Sequence, residues 1–288
     1  MKIAIVVNLT KQKAINCAKE AAIIFLGNNA EIYMLSECAP FYKGIQIEYA
    51  DTINQLFDIC DIAVTVGGDG TIIHAAKYAA TADVPLIGIN VGRLGFAADV
   101  EPEEISSLTR LLSGDYTTEE RILLDVEVIK NSDKENSKHY LAVNDAVIGR
   151  GELSKIVDLH LSLDGEEISK YRADGLLFAT PTGSTAYSLS AGGPILAPQM
   201  ECILLTPVCP HSLFSRSVLF SADSELSVSV KIPSECCCVL TIDGEKNVDI
   251  LAEDRVIIRK SSLKFKFASL HKRNFYTLLN EKLKEREI

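Results

Sequence analysis

Ile62-Ala63-Val64-Thr65-Val66-Gly67-Gly68-Asp69-Gly70-Thr71 is the stretch that decides the fold of the first half of this 288-residue chain. An apolar, β-branched run leads into three glycines within four positions, and apolar residues at helical spacing follow as far as Ala80. The stretch therefore predicts a buried strand, a tight turn and a helix beginning near Thr71. Glycines let a ligand approach the backbone closely. The start of the helix offers free N–H groups to an anion.

The spacing of this turn differs from two familiar phosphate-binding motifs. The chain has no G-x-x-x-x-G-K-[ST] sequence, and Ile73 stands where a dinucleotide fingerprint needs its third glycine. Asp69 is a second difference from those motifs. A carboxylate among phosphates is unfavourable unless it binds a metal or accepts a proton. A glycine-rich turn in which Asp69 bonds only to its own backbone remains the alternative.

The rest of the first half alternates short apolar runs with helical spacing. Such continuous apolar runs predict a parallel sheet covered on both faces, with ligands bound beyond the carboxyl ends of the strands. The predicted strands are Lys2–Asn8, Glu31–Leu35, Asp61–Val66 and Pro85–Asn90, and the predicted helices are Lys11–Leu26, Ala50–Phe57 and Thr71–Ala80.

After a helix predicted at Pro102–Leu112, the runs become short and alternating and are joined by turns. Asp164-Gly165 is typical of a β-hairpin. One helix is predicted near Ser184–Ala191 and a last one at Phe275–Arg286. The predicted strands of this half include Leu124–Ile129, Tyr140–Ile148, Lys155–Leu163 and Ser227–Ile232. We therefore expect an N-terminal α/β parallel-sheet (Rossmann-like) domain, residues 1–118 with 270–288 returning to it, and a β-rich antiparallel sandwich domain, residues 119–269.

Charge and composition exclude several classes of function. The formal net charge is −10, so the chain lacks the summed field that attracts nucleic acid or anionic membranes. Backbone N–H groups can still hold a phosphorylated small molecule. No apolar run approaches the roughly 20 residues that cross a bilayer, and a cytoplasmic location is expected. The eight cysteines include no C-x-x-C pair, so we interpret them as small buried apolar residues.

Gly67-Gly68-Asp69-Gly70-Thr71 resembles the motif shared by NAD kinases, diacylglycerol and sphingosine-type lipid kinases and, more distantly, phosphofructokinases. The second half of the chain favours the NAD kinases, because it carries stretches similar to their signatures in the expected order. These stretches are Gly92-Arg93-Leu94-Gly95-Phe96, Asn144-Asp145, Asp174-Gly175-Leu176, the run from Thr180 to Pro194, Thr206-Pro207 and Pro210-His211-Ser212-Leu213. One departure is Arg216-Ser217, where the family pattern has Arg-Pro.

The resemblance implies an enzyme that transfers the γ-phosphoryl group of ATP to the 2′-hydroxyl of the adenosine ribose of NAD, giving NADP and ADP. Asp69 would orient that hydroxyl and accept its proton, and Mg²⁺ would be bound through the nucleotide phosphates rather than by a protein metal site. The resemblance also implies a homodimer or homotetramer. The expected phosphate-binding residues are Gly67, Gly68, Gly70 and Thr71. The expected NAD-binding residues are Asp69, Gly70, Phe96, Asn144, Asp145, Arg172, Asp174, Thr182, Thr185, Ala186, Tyr187 and Ser190.

Other interpretations stay open at this point. A lipid kinase could use the same glycine turn, and a non-catalytic NAD-binding sensor could use the same fold. The hydroxyl-rich run, which suits ribose and phosphate contacts, could instead be a serine-rich helix cap. Asn144-Asp145 could be a turn pair, and Asp174 could lie in a surface turn. The six hydroxyls of the run belong to Thr182, Ser184, Thr185, Tyr187, Ser188 and Ser190.

Overall fold

The structure is a computed structural model that describes residues 1–92, 95, 98–151, 156–212, 215–231, 238–271 and 274–285, without the side chains of 134–135 and 282–285. It divides into two compact units, Met1–Glu120 with Lys264–Ile288, and Arg121–Leu263. The second unit ends at Leu263 rather than at the predicted residue 269, so the division falls within a strand that runs from Arg255 to Ser269.

The helices and strands follow one another along the chain as β1 Lys2–Val7, α1 Gln12–Gly27, β2 Glu31–Leu35, β3 Glu48–Ala50, α2 Ile53–Ile59, β4 Ile62–Gly67, α3 Asp69–Thr81, β5 Leu86–Asn90, α4 Thr109–Leu112, β6 Thr117–Lys130, β7 Asp133–Ala142, β8 Asp145–Arg150, β9 Val157–Leu163, β10 Glu166–Ala173, β11 Gly175–Ala179, α5 Tyr187–Ser190, β12 Cys202–Val208, β13 Val218–Ser221, β14 Leu226–Lys231, β15 Cys238–Ile242, β16 Lys246–Ile250, β17 Arg255–Ser269 and α6 Phe275–Glu285. Short 3₁₀ helices cover Ser36–Phe41, Pro102–Leu108 and Thr182–Thr185.

The first unit is built on a parallel sheet with the strand order β5-β4-β1-β2-β3. The end of β17 joins this sheet beside β5, through the parallel pair Phe267 and Leu86. Strands β1, β4 and β5 are almost wholly buried, which is why they have continuous apolar runs. The predicted α/β parallel-sheet domain is confirmed.

Three helices of this unit begin or continue differently from the prediction. Helix α2 begins at Ile53 rather than Ala50, because Thr52 forms a capping box with Gln55. Helix α3 begins at Asp69 rather than Thr71, with Gly68 as its N-cap. The helix predicted at Pro102–Leu112 is a 3₁₀ helix that turns into α4 at Thr109.

The second unit is an antiparallel β-sandwich. One sheet has the order β13-β12-β11-β8-β15-β16, and the other contains β10-β9-β14-β17 with β6 and β7. Apolar residues of both sheets form one buried cluster, which includes Phe178 of β11 and Leu159 of β9. The predicted sandwich is confirmed, but the predicted strand Tyr140–Ile148 is two strands, β7 and β8, interrupted at Val143 and Asn144.

Most described cysteines are buried, as expected. Burial raises the pKa of the Cys60 thiol to about 12, so this thiol stays protonated at neutral pH. Cys209 is exposed, so the prediction was wrong there, while Cys236 and Cys237 lie outside the described residues. Within the described ranges, no helix is both long enough and apolar enough to cross a membrane.

Asp99→Asn is expected to lower the free energy of unfolding by about 1–3 kcal/mol. Asp99 is 7% exposed, and its two oxygens accept bonds of 2.7 Å from Ser269 Oγ and from the Leu270 N–H. Asparagine would leave one of these donors unpaired. Urea unfolding of both variants would measure the effect. Asp83→Asn is the matched control. Asp83 forms a surface ion pair with Lys266, which lies on the same strand as Ser269, so this substitution should lower the free energy of unfolding by less than about 1 kcal/mol. Equal losses would contradict the prediction.

Candidate functional site

A cavity of about 610 Å³ opens at the carboxyl ends of β1 and β4 in the first unit. The strand order reverses here, because the chain passes from β1 to β2 on one side and adds β4 and β5 on the other. Open α/β sheets bind ligands at such a point. Residues 5–11 line one wall, and Gly68, Gly70 and Thr71 bring the glycine turn to the cavity.

Close backbone packing fixes the glycine turn. A Cβ on Gly67 would lie 2.2 Å from Thr71 Oγ1, so no larger residue fits there. The loops on both sides bind the end of β4, because the Asn8 N–H donates to Val66 O at 2.9 Å and the Val91 N–H donates to Gly67 O at 2.8 Å. Three strand ends therefore meet at the turn.

Asp69 is the first residue of α3, and its carboxyl group packs against Gly95. A Cβ on Gly95 would lie 1.8 Å from Asp69 Oδ1, so a larger residue here would displace the Asp69 carboxyl group. Gly68 and Gly70 line the 610 Å³ cavity, whereas Asp69 does not. Its carboxylate lies on the side of the turn that faces the segment after β5. The predicted NAD contact Phe96 belongs to that segment and lies outside the described residues.

Lys11, which the sequence predicts only as the start of a helix, is a further candidate for binding a ligand at the glycine turn. Its Nζ lies 3.2 Å from the position of a Cβ on Gly92 and 3.9 Å from that of a Cβ on Gly68. The Lys11 side chain forms no hydrogen bond or ion pair with any residue that the structure describes. An unpaired ammonium group beside the glycine turn can bind an anion.

A second cavity, of about 510 Å³, lies in the second unit and brings together four of the predicted NAD-binding residues. These are Asn144, Asp145, Ala186 and Tyr187. The remaining lining residues are Val147 and, at the β15–β16 turn and the strand before it, Thr241, Asp243 and Gly244.

Thr180 joins the segment before β8 to the hydroxyl-rich run. Its N–H donates to Asn144 O at 2.9 Å, and its Oγ1 donates to Val143 O at 2.6 Å and accepts from the Gly183 N–H at 3.0 Å. A Cβ on Gly183 would lie 2.0 Å from Asn144 O. Glycine at 183 therefore lets the run pack directly on the Asn144 backbone.

Asp243 and Asp145 give this cavity its electrostatic character. The Asp243 carboxylate accepts the backbone N–H groups of Val143, Asn144 and Asp145 at 3.0, 2.7 and 3.1 Å. Asp145 is 5% exposed, and its burial, together with the negative charge of Asp243, raises its pKa to about 7. No local pattern in the sequence points to Asp243, because it lies about 100 residues from the amides that it binds.

The hydroxyl-rich run divides between structural and available groups. Ser184 and Ser188 are fully buried, where Ser184 Oγ accepts the Leu196 N–H and Ser188 bonds to Thr206, so their hydroxyls are hydrogen-bonded within the fold. Thr182 and Thr185 lie in the 3₁₀ turn, with Thr185 Oγ1 donating to Thr182 O. Thr182 Oγ1 is buried without a described hydrogen-bond partner, and Ser190 is exposed at the end of α5.

Two further predicted residues lie away from the second cavity. Asp174 precedes β11 and faces Arg150 at 3.5 Å, while Ala179 at the other end of β11 pairs with Asp145. Asp174 and Ala179 are five residue steps apart along the strand, which is roughly 16 Å. Arg172 is an exposed residue of β10. This chain alone therefore does not bring Arg172 and Asp174 together with Asn144 and Asp145.

Ser217, which stands where the family pattern has proline, has a defined partner. Its Oγ donates to Thr206 Oγ1 at 3.2 Å, and Thr206 Oγ1 also bonds to Ser188 Oγ at 2.9 Å. This loop is thus tied to β12 by hydroxyl groups.

Comparison with known proteins gives consistent matches along the chain. A model of the ATP-NAD kinase N-terminal domain matches residues 3–116, and a model of the ATP-NAD kinase C-terminal domain matches residues 143–270. The NAD kinase of Natranaerobius thermophilus is 35% identical over 283 residues, which cover 98% of this chain and 97% of the relative. The NAD kinase of Carboxydothermus hydrogenoformans is 39% identical over 240 residues, covering 83% and 84%.

Solved structures share the fold. Yeast NADH kinase complexed with NADH has a TM-score of 0.90 at 25% identity, covering 98% of this chain and 87% of that chain. An NAD kinase from Archaeoglobus fulgidus in complex with ATP has a TM-score of 0.75 at 24% identity, covering 99% of each chain.

Asp145→Asn is expected to flatten the pH dependence of the free energy of unfolding between about pH 4 and 7. In the folded chain Asp145 keeps its proton up to about pH 7, whereas its ordinary pKa is 3.8. The folded state therefore holds more protons in this window, and wild-type stability falls as the pH rises through it. Asparagine mimics the protonated form and should remove that loss. Urea unfolding at several pH values would measure it, with exposed Asp58→Asn as the control. Parallel curves for wild type and Asp145→Asn would contradict the prediction.

Proposed function

The chain belongs to the ATP-NAD kinase family and catalyses the ATP-dependent phosphorylation of NAD, and we propose that its two cavities bind the two substrates. The cavity at the glycine turn would hold the phosphates of ATP, and the cavity at Asn144 and Asp145 would hold the adenosine part of NAD. The observation that carries the assignment of the first cavity is the position of the glycine turn, at the reversal point of a parallel sheet.

The first turn of α3 supports the phosphate site. Gly68 and Gly70 carry no side chain between the cavity and the backbone, and the positive end of the helix dipole lies here. Lys11 adds a positive charge beside Gly68. In phosphoryl transfer the protein mainly positions the reactants and offsets charge on the transferred group, and these groups are suited to that task.

We propose Asp69 as the catalytic base. It would accept a hydrogen bond from the 2′-hydroxyl of the adenosine ribose, hold the oxygen in line with the γ-phosphorus and take the proton late in the transfer. Its half-buried position at the first residue of α3 supports this role, because it is next to the proposed phosphate site without occupying it.

We propose that Mg²⁺ enters with the nucleotide. Mg²⁺ usually binds one or two carboxylates together with substrate phosphates. Across the described residues, no group of three His, Cys, Asp or Glu side chains is arranged to hold a metal ion. Bound there, it would neutralise charge on the phosphate oxygens.

In the second cavity, carboxylate and amide groups are suited to the vicinal hydroxyls and the adenine of the dinucleotide. Asn144, Asp145, Ala186 and Tyr187 are our first candidates. Phe96, Arg172, Asp174, Thr182, Thr185 and Ser190 remain predicted contacts. We also propose that the chain acts in the cytoplasm as a homodimer or homotetramer.

A direct assay tests this function against the alternatives. Purified protein would be incubated with ATP, Mg²⁺ and either NAD, a diacylglycerol or a sphingoid base, and the phosphorylated product would be quantified. NADP should form and neither lipid should be phosphorylated. A phosphorylated lipid would instead support a lipid kinase, and tight NAD binding without product would support a sensor.

Asp69→Asn is expected to lower kcat by roughly 10²- to 10⁴-fold, the usual contribution of a positioned base. The affinity for NAD should change little, because the amide keeps the size of the side chain. Steady-state kinetics and equilibrium binding of NAD would measure both. Glu37→Gln is the matched control, since Glu37 is an exposed carboxylate that lines the phosphate cavity. Near-normal turnover of Asp69→Asn would exclude Asp69 from the chemistry.

Lys11→Ala is expected to raise the KM for ATP by roughly 10- to 100-fold, the equivalent of one lost hydrogen bond to a charged group. The KM for NAD should stay within about twofold, because Lys11 lies at the proposed phosphate site. Lys13→Ala is the control, since Lys13 is an exposed lysine in the first turn of α1 that does not line the cavity. Equal effects of the two substitutions on the KM for ATP would show that Lys11 has no specific role.

A further inference from the structure

The turn between β15 and β16 carries an aspartate in a backbone conformation that favours glycine. Asp243 has a φ of +48° and Gly244 a φ of +71°, and the Glu245 N–H closes the turn by donating to Ile242 O at 2.9 Å. Aspartate is one of the few residues with a side chain that adopts these angles readily. The turn geometry therefore allows Asp243, but the geometry alone does not require a carboxylate.

The carboxylate of Asp243 binds the neighbouring backbone at three consecutive residues. Oδ2 accepts the Val143 N–H, and Oδ1 accepts those of Asn144 and Asp145, at 2.7 to 3.1 Å. The backbone N–H of Asp243 also donates to Asp145 O at 2.9 Å. Successive N–H groups that converge in this way form a concave anion-binding site, which here is filled by a side chain of the same protein.

These bonds act on the residues that carry the candidate ligand side chains. Asp243 and Gly244 line the same cavity as Asn144 and Asp145. We propose that Asp243 is a positioning residue for NAD, which holds the backbone of 143–145 so that the Asn144 and Asp145 side chains reach the adenosine ribose. This inference rests on the proposed function of the cavity.

The charge of Asp243 should also act on Asp145. Asp243 is the charged group that faces Asp145, Tyr187 is the other titratable group of the cavity, and no described cationic side chain lines it. Burial and Asp243 together raise the pKa of Asp145 to about 7. Loss of the charge at 243 should therefore move the ionisation of Asp145, and with it the pH dependence of NAD binding, to lower pH.

Asp243→Asn tests both effects in the full chain. Asparagine tolerates the left-handed turn, but it places an NH₂ group against one of the three amides. We expect the KM for NAD at neutral pH to rise roughly 3- to 10-fold, as for a lost hydrogen bond. The KM for ATP should stay within about twofold. The midpoint of the pH profile of the KM for NAD should shift to lower pH, and Asp145→Asn should abolish that profile.

Asp164→Asn is the matched control. Asp164 has a φ of +50°, precedes Gly165 in the β9–β10 turn and accepts the Glu225 N–H at 3.0 Å, but does not line the cavity. Asp243→Gly is a second variant that keeps the turn and removes the carboxylate altogether.

The outcomes separate this inference from the proposed function. If the wild-type chain produces no NADP from NAD and ATP, the proposed function itself fails. In a second outcome, the wild-type chain produces NADP while both Asp243 variants match the control Asp164→Asn in the KM for NAD and in its pH profile. That result would show that Asp243 has no positioning role. If both Asp243 variants unfold while Asp164→Asn folds, Asp243 is a structural residue and the proposal is overturned.

Discussion

The first unit depends on close contacts that leave no room for a side chain at the glycine turn. Gly67 packs against Thr71, and Gly95 packs against the Asp69 carboxyl group. These contacts bring the end of β4, the start of α3 and the segment after β5 together. The Asn8 and Val91 amides then bind the last carbonyls of β4. This packing yields a first helical turn that begins with Asp69 and has Gly70 and Thr71 at the cavity, and the remaining groups of the proposed phosphate site are arranged around it.

The second unit positions its candidate site differently, with the polar side chains of Thr180 and Asp243 hydrogen-bonded to the backbone. Thr180 binds the carbonyls of 143 and 144, and Asp243 binds the amides of 143–145. The backbone between β7 and β8 is thereby satisfied without strand partners. This arrangement also buries Asp145 beside the carboxylate of Asp243, which is unfavourable for the charged form of Asp145. Perturbed acids of this kind are common in binding sites, where a group that is unfavourable for stability serves the ligand.

The sequence predicted best what depends on neighbouring residues. The buried strands of the first unit were predicted within about two residues, because continuous apolar runs are a local signal. The resemblance to NAD kinases supplied the function, and four of the NAD-binding residues that it predicts, Asn144, Asp145, Ala186 and Tyr187, line one cavity. Lys11 was missed because only the fold brings it beside Gly68 and Gly92, and Asp243 because the amides that it binds are about 100 residues away. The alternation of apolar residues over Tyr140–Ile148 likewise does not show that the strand is interrupted at residues 143 and 144, where the backbone N–H groups donate to Asp243. Residue type also did not separate the buried Ser184 and Ser188 from the exposed Ser190.

The replacement of the family's proline by Ser217 changes how the loop before β13 is restrained. A prolyl ring restricts the backbone covalently and acts on the unfolded chain as well, so its effect is largely entropic. Here the restraint passes through three hydroxyls, from Ser217 to Thr206 and on to Ser188. Hydrogen bonds of this kind break and reform within the folded protein. The mobility of the backbone at Ser217 should therefore increase more steeply on heating than that of a position held by a prolyl ring.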